Sequence, residues 1–152
     1  MKIVEFLQPG AVVDDLAGST GPAVLAELAR PLSATHKVDS QRLLETLLER
    51  EKLGSTGIGD GVAIPHGKVA GLPALMASFG RSKAGVDFKA IDGKPTFLFF
   101  TLFAPENSAG AHLKALARIS RIFKNPGFRE AIMKAPDAAE IYRLIETEDA
   151  KY

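Results

Sequence analysis

The sequence has no cysteine, no tryptophan, only two tyrosines and no apolar run of membrane-spanning length. Each absence removes a class of function. Without thiols there is no disulfide, no thiolate zinc site and no cysteine nucleophile, which agrees with a reducing cytoplasm. Without about 18 consecutive apolar residues, nothing reads as a membrane span. Glu5 and Pro9 interrupt the N-terminal stretch, so it does not read as a signal peptide. An excess of one charge is missing too: 19 basic and 18 acidic residues leave a net charge of +1. They are spread along the chain, and few aromatics are available for base stacking, which argues against a nucleic-acid partner. What remains is 152 residues, 46% hydrophobic and 24% charged. That is the composition of one globular domain over 1–152 with a core of its own.

Against this plain background one stretch stands out. Residues 54–68 read Gly-Ser-Thr-Gly-Ile-Gly-Asp-Gly-Val-Ala-Ile-Pro-His-Gly-Lys, with five glycines, at 54, 57, 59, 61 and 67. Glycine gives up more entropy on ordering than any other residue, so five together suggest a loop shaped around something. Val62-Ala63-Ile64 suits a short buried strand, and Pro65, lacking an N–H, is expected to end its ladder. His66 then stands at the strand's end with Lys68 nearby, where a reactive side chain is commonly presented. The bland alternative is a tight connection carrying an ordinary histidine. The stretch lacks the Gly-Lys-Ser/Thr ending of a P-loop and the spacing of a dinucleotide fingerprint, which argues against nucleotide binding.

The rest of the chain alternates between helical and strand patterns. Gln8-Pro9-Gly10 reads as a turn before a possible strand at 11–13. Ser19 or Thr20 caps a helix carrying Val24, Leu25, Leu28 and Leu32, which Pro31 should weaken or end. His36 falls in a polar link and reads as an exposed bystander. Asp39 caps a second helix with Leu43, Leu44, Leu47 and Leu48 on one face; it closes through Arg50 before Gly54. Residues 74–79 are a plausible strand, and 83–88 and 91–95 read as turns around a short extended piece. Phe97 to Phe103 is the strongest strand; its nearly continuous apolar run means burial on both faces. A helix capped by Asn107 or Ser108 follows, with His112, Leu116, Ile119 and Phe123 on one stripe that Leu113 and Ile122 widen. A short helix from Phe128 to Met133 and a last helix capped by Asp137 complete an α/β sandwich, a mixed β-sheet flanked by helices.

A histidine on an apolar helix stripe is usually a hydrogen-bonded core residue. The alternative is that it faces a site at the carboxyl end of the preceding strand. If strands 62–64 and 97–103 are neighbours, His66, His112 and Arg50 reach the same edge. Two imidazoles, a guanidinium and free loop amides make an anion site, most naturally for phosphate. His66 could then accept a phosphoryl group covalently, with Arg50 and His112 neutralising its oxygens. The competing chemistry is a zinc site on His66, His112 and Asp60. It lacks a His-Glu-x-x-His pair, and Arg50 would repel the ion.

The same residues carry a family resemblance. The 54–68 stretch resembles the active-site signature of fructose/mannitol-type enzyme IIA domains of the phosphoenolpyruvate:sugar phosphotransferase system. The likeness continues through Arg50-Glu51, through Val86-Asp87-Phe88 with Ile91-Asp92-Gly93 and Pro95, and through His112-Leu113 with Leu116. It runs from the second helix to the last and is loose before residue 38. His-Gly-Lys after Ile-Pro is most similar to the nitrogen-regulatory branch. The resemblance implies a mixed sheet flanked by helices, His66 phosphorylated on Nε2 by an HPr-like phosphohistidine donor, His112 steadying the phosphoryl group and Arg50 beside it. It implies a cytoplasmic phosphocarrier that needs no cofactor and no metal, with regulatory target proteins as partners and no membrane insertion. The alternatives are transfer to a sugar-specific IIB partner, or a binding module without the chemistry. Asp60 stands where asparagine is the expectation, and a negative charge facing the site would weaken phosphate binding.

Overall fold

The computed structural model describes residues 1–152. Six strands form one mixed sheet: β1 (Leu7–Val13), β2 (Gly57–Gly59), β3 (Val62–Ala63), β4 (His66–Lys68), β5 (Met76–Val86) and β6 (Thr96–Ala104). Their order is β1-β5-β6-β3-β2, with β4 also paired to β6. β5 runs antiparallel to β6, while β1 is parallel to β5 and both β3 and β4 are parallel to β6. Five helices flank the sheet: α1 (Gly21–His36), α2 (Ser40–Lys52), α3 (Ala109–Phe123), α4 (Pro126–Lys134) and α5 (Ala138–Asp149).

Consecutive residues of β5 show the two layers. The Ser78 hydroxyl donates to the Leu28 carbonyl of α1 at 2.8 Å. Phe79, on the other face, stacks on Phe123 of α3 with ring centroids 5.8 Å apart. β6 is buried along nearly its whole length, as its sequence requires. Three helix caps fall where the sequence places them, on Thr20, Asp39 and Asp137; Asn125 caps α4, which starts at Pro126, ahead of the expected Phe128. Ser108 occupies the N-cap position ahead of α3, but its hydroxyl donates to the Pro105 carbonyl and makes no capping hydrogen bond.

Several expectations are corrected. β1 runs straight through Gln8-Pro9-Gly10, which is an irregularity in the pairing and not a turn; an edge strand tolerates proline because its outer N–H needs no partner. Pro31 does not end α1, which continues to His36. A proline inside a helix costs about 3 kcal/mol, and burial of Leu28 and Leu32 on either side offsets it at roughly 1.5–3 kcal/mol each. His36 is therefore the half-buried last residue of a helix, not an exposed link residue. β5 extends beyond residue 79 to Val86, through part of the 83–88 stretch read as a turn, and Arg81 lies fully buried inside it. Its Nε donates to the Asp14 carbonyl at 2.8 Å, and Nη1 to the Ile132 and Ala135 carbonyls at 2.9 and 2.6 Å. Leu113 does not widen the buried face of α3; it is 68% exposed.

Candidate functional site

The site is set by how β3 and β4 lie along β6. Val62 pairs with Leu98, Ala63 with Phe99, His66 with Leu102 and Lys68 with Ala104, an offset of 36 throughout. The two strands are thus one strand interrupted at Ile64-Pro65, and Pro65 does not end the ladder. Its carbonyl accepts from the Leu102 N–H at 2.9 Å, so only its own missing N–H is lost. Alternation then turns the polar groups of Ile64 toward the outer side. Its N–H donates to the Thr56 carbonyl at 3.0 Å. β2 ends its pairing one residue earlier, at Ala63, so no strand covers the Ile64 carbonyl. The imidazole of His66 takes that place, with Nδ1 2.7 Å from the carbonyl oxygen.

This contact decides the tautomer. A carbonyl can only accept, so Nδ1 of His66 carries the proton and the lone pair is left on Nε2. Burial pushes the His66 pKa below its ordinary 6.5, and the charge of Arg50 acts in the same direction; the Ile64 carbonyl and Glu51 oppose them. The ring is accordingly neutral near neutral pH.

His112, in the first turn of α3, is buried and lies edge-on to His66, with ring centroids 5.5 Å apart and planes at 74°. Its Nε2 is buried without a hydrogen-bond partner. Desolvation lowers its pKa, with His66 and Lys68 adding to the effect. Arg50, in the last turn of α2, anchors one guanidinium nitrogen on the Gly54 carbonyl at 2.9 Å. Its remaining N–H groups are free to meet an anion. His66, His112 and Arg50, far apart in sequence, are thereby brought to one edge of the sheet.

Asp60 is not part of this group. It sits at the tip of the β2–β3 turn with φ +57° and borders a different cleft with Phe97 and Arg129. Its charge is not among those acting on either histidine. No three His, Cys, Asp or Glu side chains converge as a metal-ligand set, so His66, His112 and Asp60 do not form one. No helix is long and apolar enough to cross a membrane. Sequence reasoning missed the groups that hold His66: the Ile64 carbonyl, and Glu51, which takes the N–H and the hydroxyl of Thr56. The signals for Glu51 were its place in the Arg50-Glu51 pair of the resemblance and its position near a helix end just ahead of a Ser-Thr pair.

The family model of the phosphoenolpyruvate-dependent sugar phosphotransferase system, EIIA 2, matches residues 5–148. The chain belongs to this family. Among EIIA relatives, the nitrogen regulatory protein of Bradyrhizobium diazoefficiens is 37% identical over 145 residues, covering 95% of each chain. The fructose-specific EIIABC component of Bacillus subtilis is 35% identical over 150 residues, spanning 98% of this chain and 24% of that one. The crystal structure of nitrogen regulatory protein IIA-Ntr from Neisseria meningitidis matches with a TM-score of 0.88 at 36% identity, covering 94% of this chain and 98% of that one. The EIIA fold and the likeness to the nitrogen-regulatory branch thus agree with the sequence reading.

Proposed function

We propose that the protein is a phosphocarrier of the nitrogen-regulatory type, which accepts a phosphoryl group on Nε2 of His66 from an HPr-like phosphohistidine donor. One observation carries the reading: a nitrogen lone pair freed by the Ile64 contact stands beside the buried, unpartnered Nε2 of His112. The His66 lone pair attacks the donor's phosphorus. The donor's N–P bond breaks, and its electron pair stays with the donor ring, which leaves as neutral imidazole when its other nitrogen holds a proton. The proton on Nδ1 of His66 stays on Nδ1, hydrogen-bonded to the Ile64 carbonyl, so no base is needed at the acceptor. His112, with its proton on Nε2, donates to a phosphoryl oxygen, and Arg50 neutralises charge from the side of α2. A buried N–H without a partner costs about 1–3 kcal/mol, and a phosphoryl oxygen would satisfy it only in the phosphorylated or transferring state.

Leu113 beside His112, and Ile58 and Leu53 along the glycine-rich stretch, are exposed apolar side chains that a docking donor could cover. The phosphorylation state would then be read by regulatory target proteins. Incubation with phosphoenolpyruvate, enzyme I and an HPr-like donor is expected to give an acid-labile gain of one phosphoryl mass, localised to His66. Unlabelled wild type, or equal labelling of His66→Ala, would sink this reading. The second reading, transfer onward to a sugar-specific IIB partner, is favoured by the likeness to the fructose-specific component. It requires that the labelled protein pass its phosphoryl group to such a partner.

A further inference from the structure

The glycine-rich ribbon ahead of His66 is too short to hold itself in place. β2 has three residues and β3 two; β3 leans on β6, but β2 is an edge strand whose one partner in the sheet is β3. Gly54 and Ser55, which lead into it, are exposed, and Gly54 has φ +138°. Contacts from outside the ribbon fix its start: the Ser55 hydroxyl donates to the Phe88 carbonyl at 2.6 Å and accepts the Gly57 N–H at 3.0 Å, and a second side chain grips Thr56. The carboxylate of Glu51, in the last turn of α2, accepts the Thr56 N–H at 3.2 Å through one oxygen and the Thr56 hydroxyl through the other.

From there a continuous chain of contacts reaches the imidazole. Thr56 is buried; its carbonyl accepts from the Ile64 N–H at 3.0 Å, and the Ile64 carbonyl accepts from Nδ1 of His66 at 2.7 Å. We propose that Glu51 is a positioning residue for His66: by gripping Thr56 it fixes Ile64 and so keeps the His66 proton on Nδ1 and the lone pair on Nε2. Glu51 touches no reacting atom, and its effect passes through Thr56 and Ile64. The charged and titratable groups around the two rings are Arg50 and Glu51 from α2 and Lys68 from β4. Of these only Glu51 can accept, and its carboxylate is engaged by Thr56, so Nδ1 has the Ile64 carbonyl as its one partner. Loosening Thr56 therefore frees the ring to turn and to carry its proton on either nitrogen. The inference deepens the phosphocarrier reading and rests on it only for the consequence in rate.

The test is nitrogen NMR of the His66 ring, which distinguishes the two neutral tautomers and needs no donor, together with initial rates of labelling. Wild type is expected to show the Nδ1–H form alone. Glu51→Ala and Thr56→Val should add the Nε2–H form and slow labelling about 10- to 100-fold, the scale on which small misplacements act. Thr56→Ser, which keeps the hydroxyl, should restore both. A folded Glu51→Ala that keeps the pure Nδ1–H form and labels at the wild-type rate overturns the proposal. Should Glu51→Ala fail to fold, the Thr56→Val and Thr56→Ser pair decides by the same readings. If wild type takes no phosphoryl group, the phosphocarrier reading falls while the tautomer comparison still judges Glu51.

Discussion

His112 shows that a residue fitted for function can be a poor fit for stability. Its Nε2 is buried with no partner, a loss of about 1–3 kcal/mol that an apolar side chain of similar size would not suffer. His112→Leu should therefore leave the thermal midpoint of the unphosphorylated protein unchanged or raised. The same change removes a donor from the phosphoryl oxygens and should slow labelling about 100-fold, the usual cost of losing one such donor. Scanning calorimetry and a labelling time course check both halves; a destabilised variant that labels normally would contradict them. His66 makes a pH prediction. Burial depresses the folded-state pKa below 6.5, so below that value the unfolded chain binds more protons than the folded one. Stability is then fully present above 6.5 and is lost as pH falls below it. Denaturant midpoints on the two sides of that pH should differ, and His66→Ala should reduce the difference. For the same reason labelling should persist as pH falls through 6.5. Imidazoles and a guanidinium are conspicuous in a sequence, whereas the carbonyl that fixes the tautomer belongs to an isoleucine and carries no signature.

The helix caps and β6 were legible because a cap is a local hydrogen bond and a doubly buried strand is a run of apolar residues. Three of the misreadings share one cause: a residue that breaks a local rule is held by contacts from elsewhere. Pro31 lies between buried leucines, Pro65 keeps its carbonyl in the ladder, and Arg81 spends its charge on carbonyls of the β1 end and of α4. Two of these are testable at this scale. Pro31→Ala restores a helical N–H and removes a ring that crowds the Glu27 carbonyl. It should stabilise the protein, by less than the ~3 kcal/mol cost of an interior proline, because alanine also frees the unfolded chain. Arg81→Met strips several buried carbonyls of their donor at roughly 1–3 kcal/mol each. It should destabilise by about 3 kcal/mol or more, seen as a lower urea midpoint with an unchanged slope. A midpoint at or above wild type would mean that those carbonyls find other partners.

Across the whole molecule, topology turns sequence distance into proximity. The parallel pairing of β3 and β4 with β6 brings the end of the glycine-rich stretch beside the start of α3, an adjacency the sequence reading could pose only as a condition. The far end of α3 is fastened by the chain's own termini. Asp149, at the end of α5 and buried, takes the Ile3 N–H on one carboxylate oxygen and Nε of Arg118 on the other, both at 2.6 Å. Arg118 also donates to the Asp149 and Tyr152 carbonyls at 2.6 and 3.1 Å, and Lys2 donates to the Asp149 carbonyl at 3.1 Å. Arg118 lies on the helix that carries His112, so this clasp ties that helix to both ends of the chain. Asp149→Asn keeps the size but leaves the Arg118 charge without its counter-ion, and breaking a buried pair in this way costs about 3–5 kcal/mol. Arg118 is 17% exposed along its side chain, which places the expected loss at the lower end, about 3 kcal/mol. Arg118→Met with Asp149→Leu removes both charges together and should recover most of that loss, since an apolar pair of similar volume needs no counter-ion. Urea unfolding of the single and double variants decides it: a double variant no better than Asp149→Asn would mean that the clasp acts through the Ile3 N–H alone.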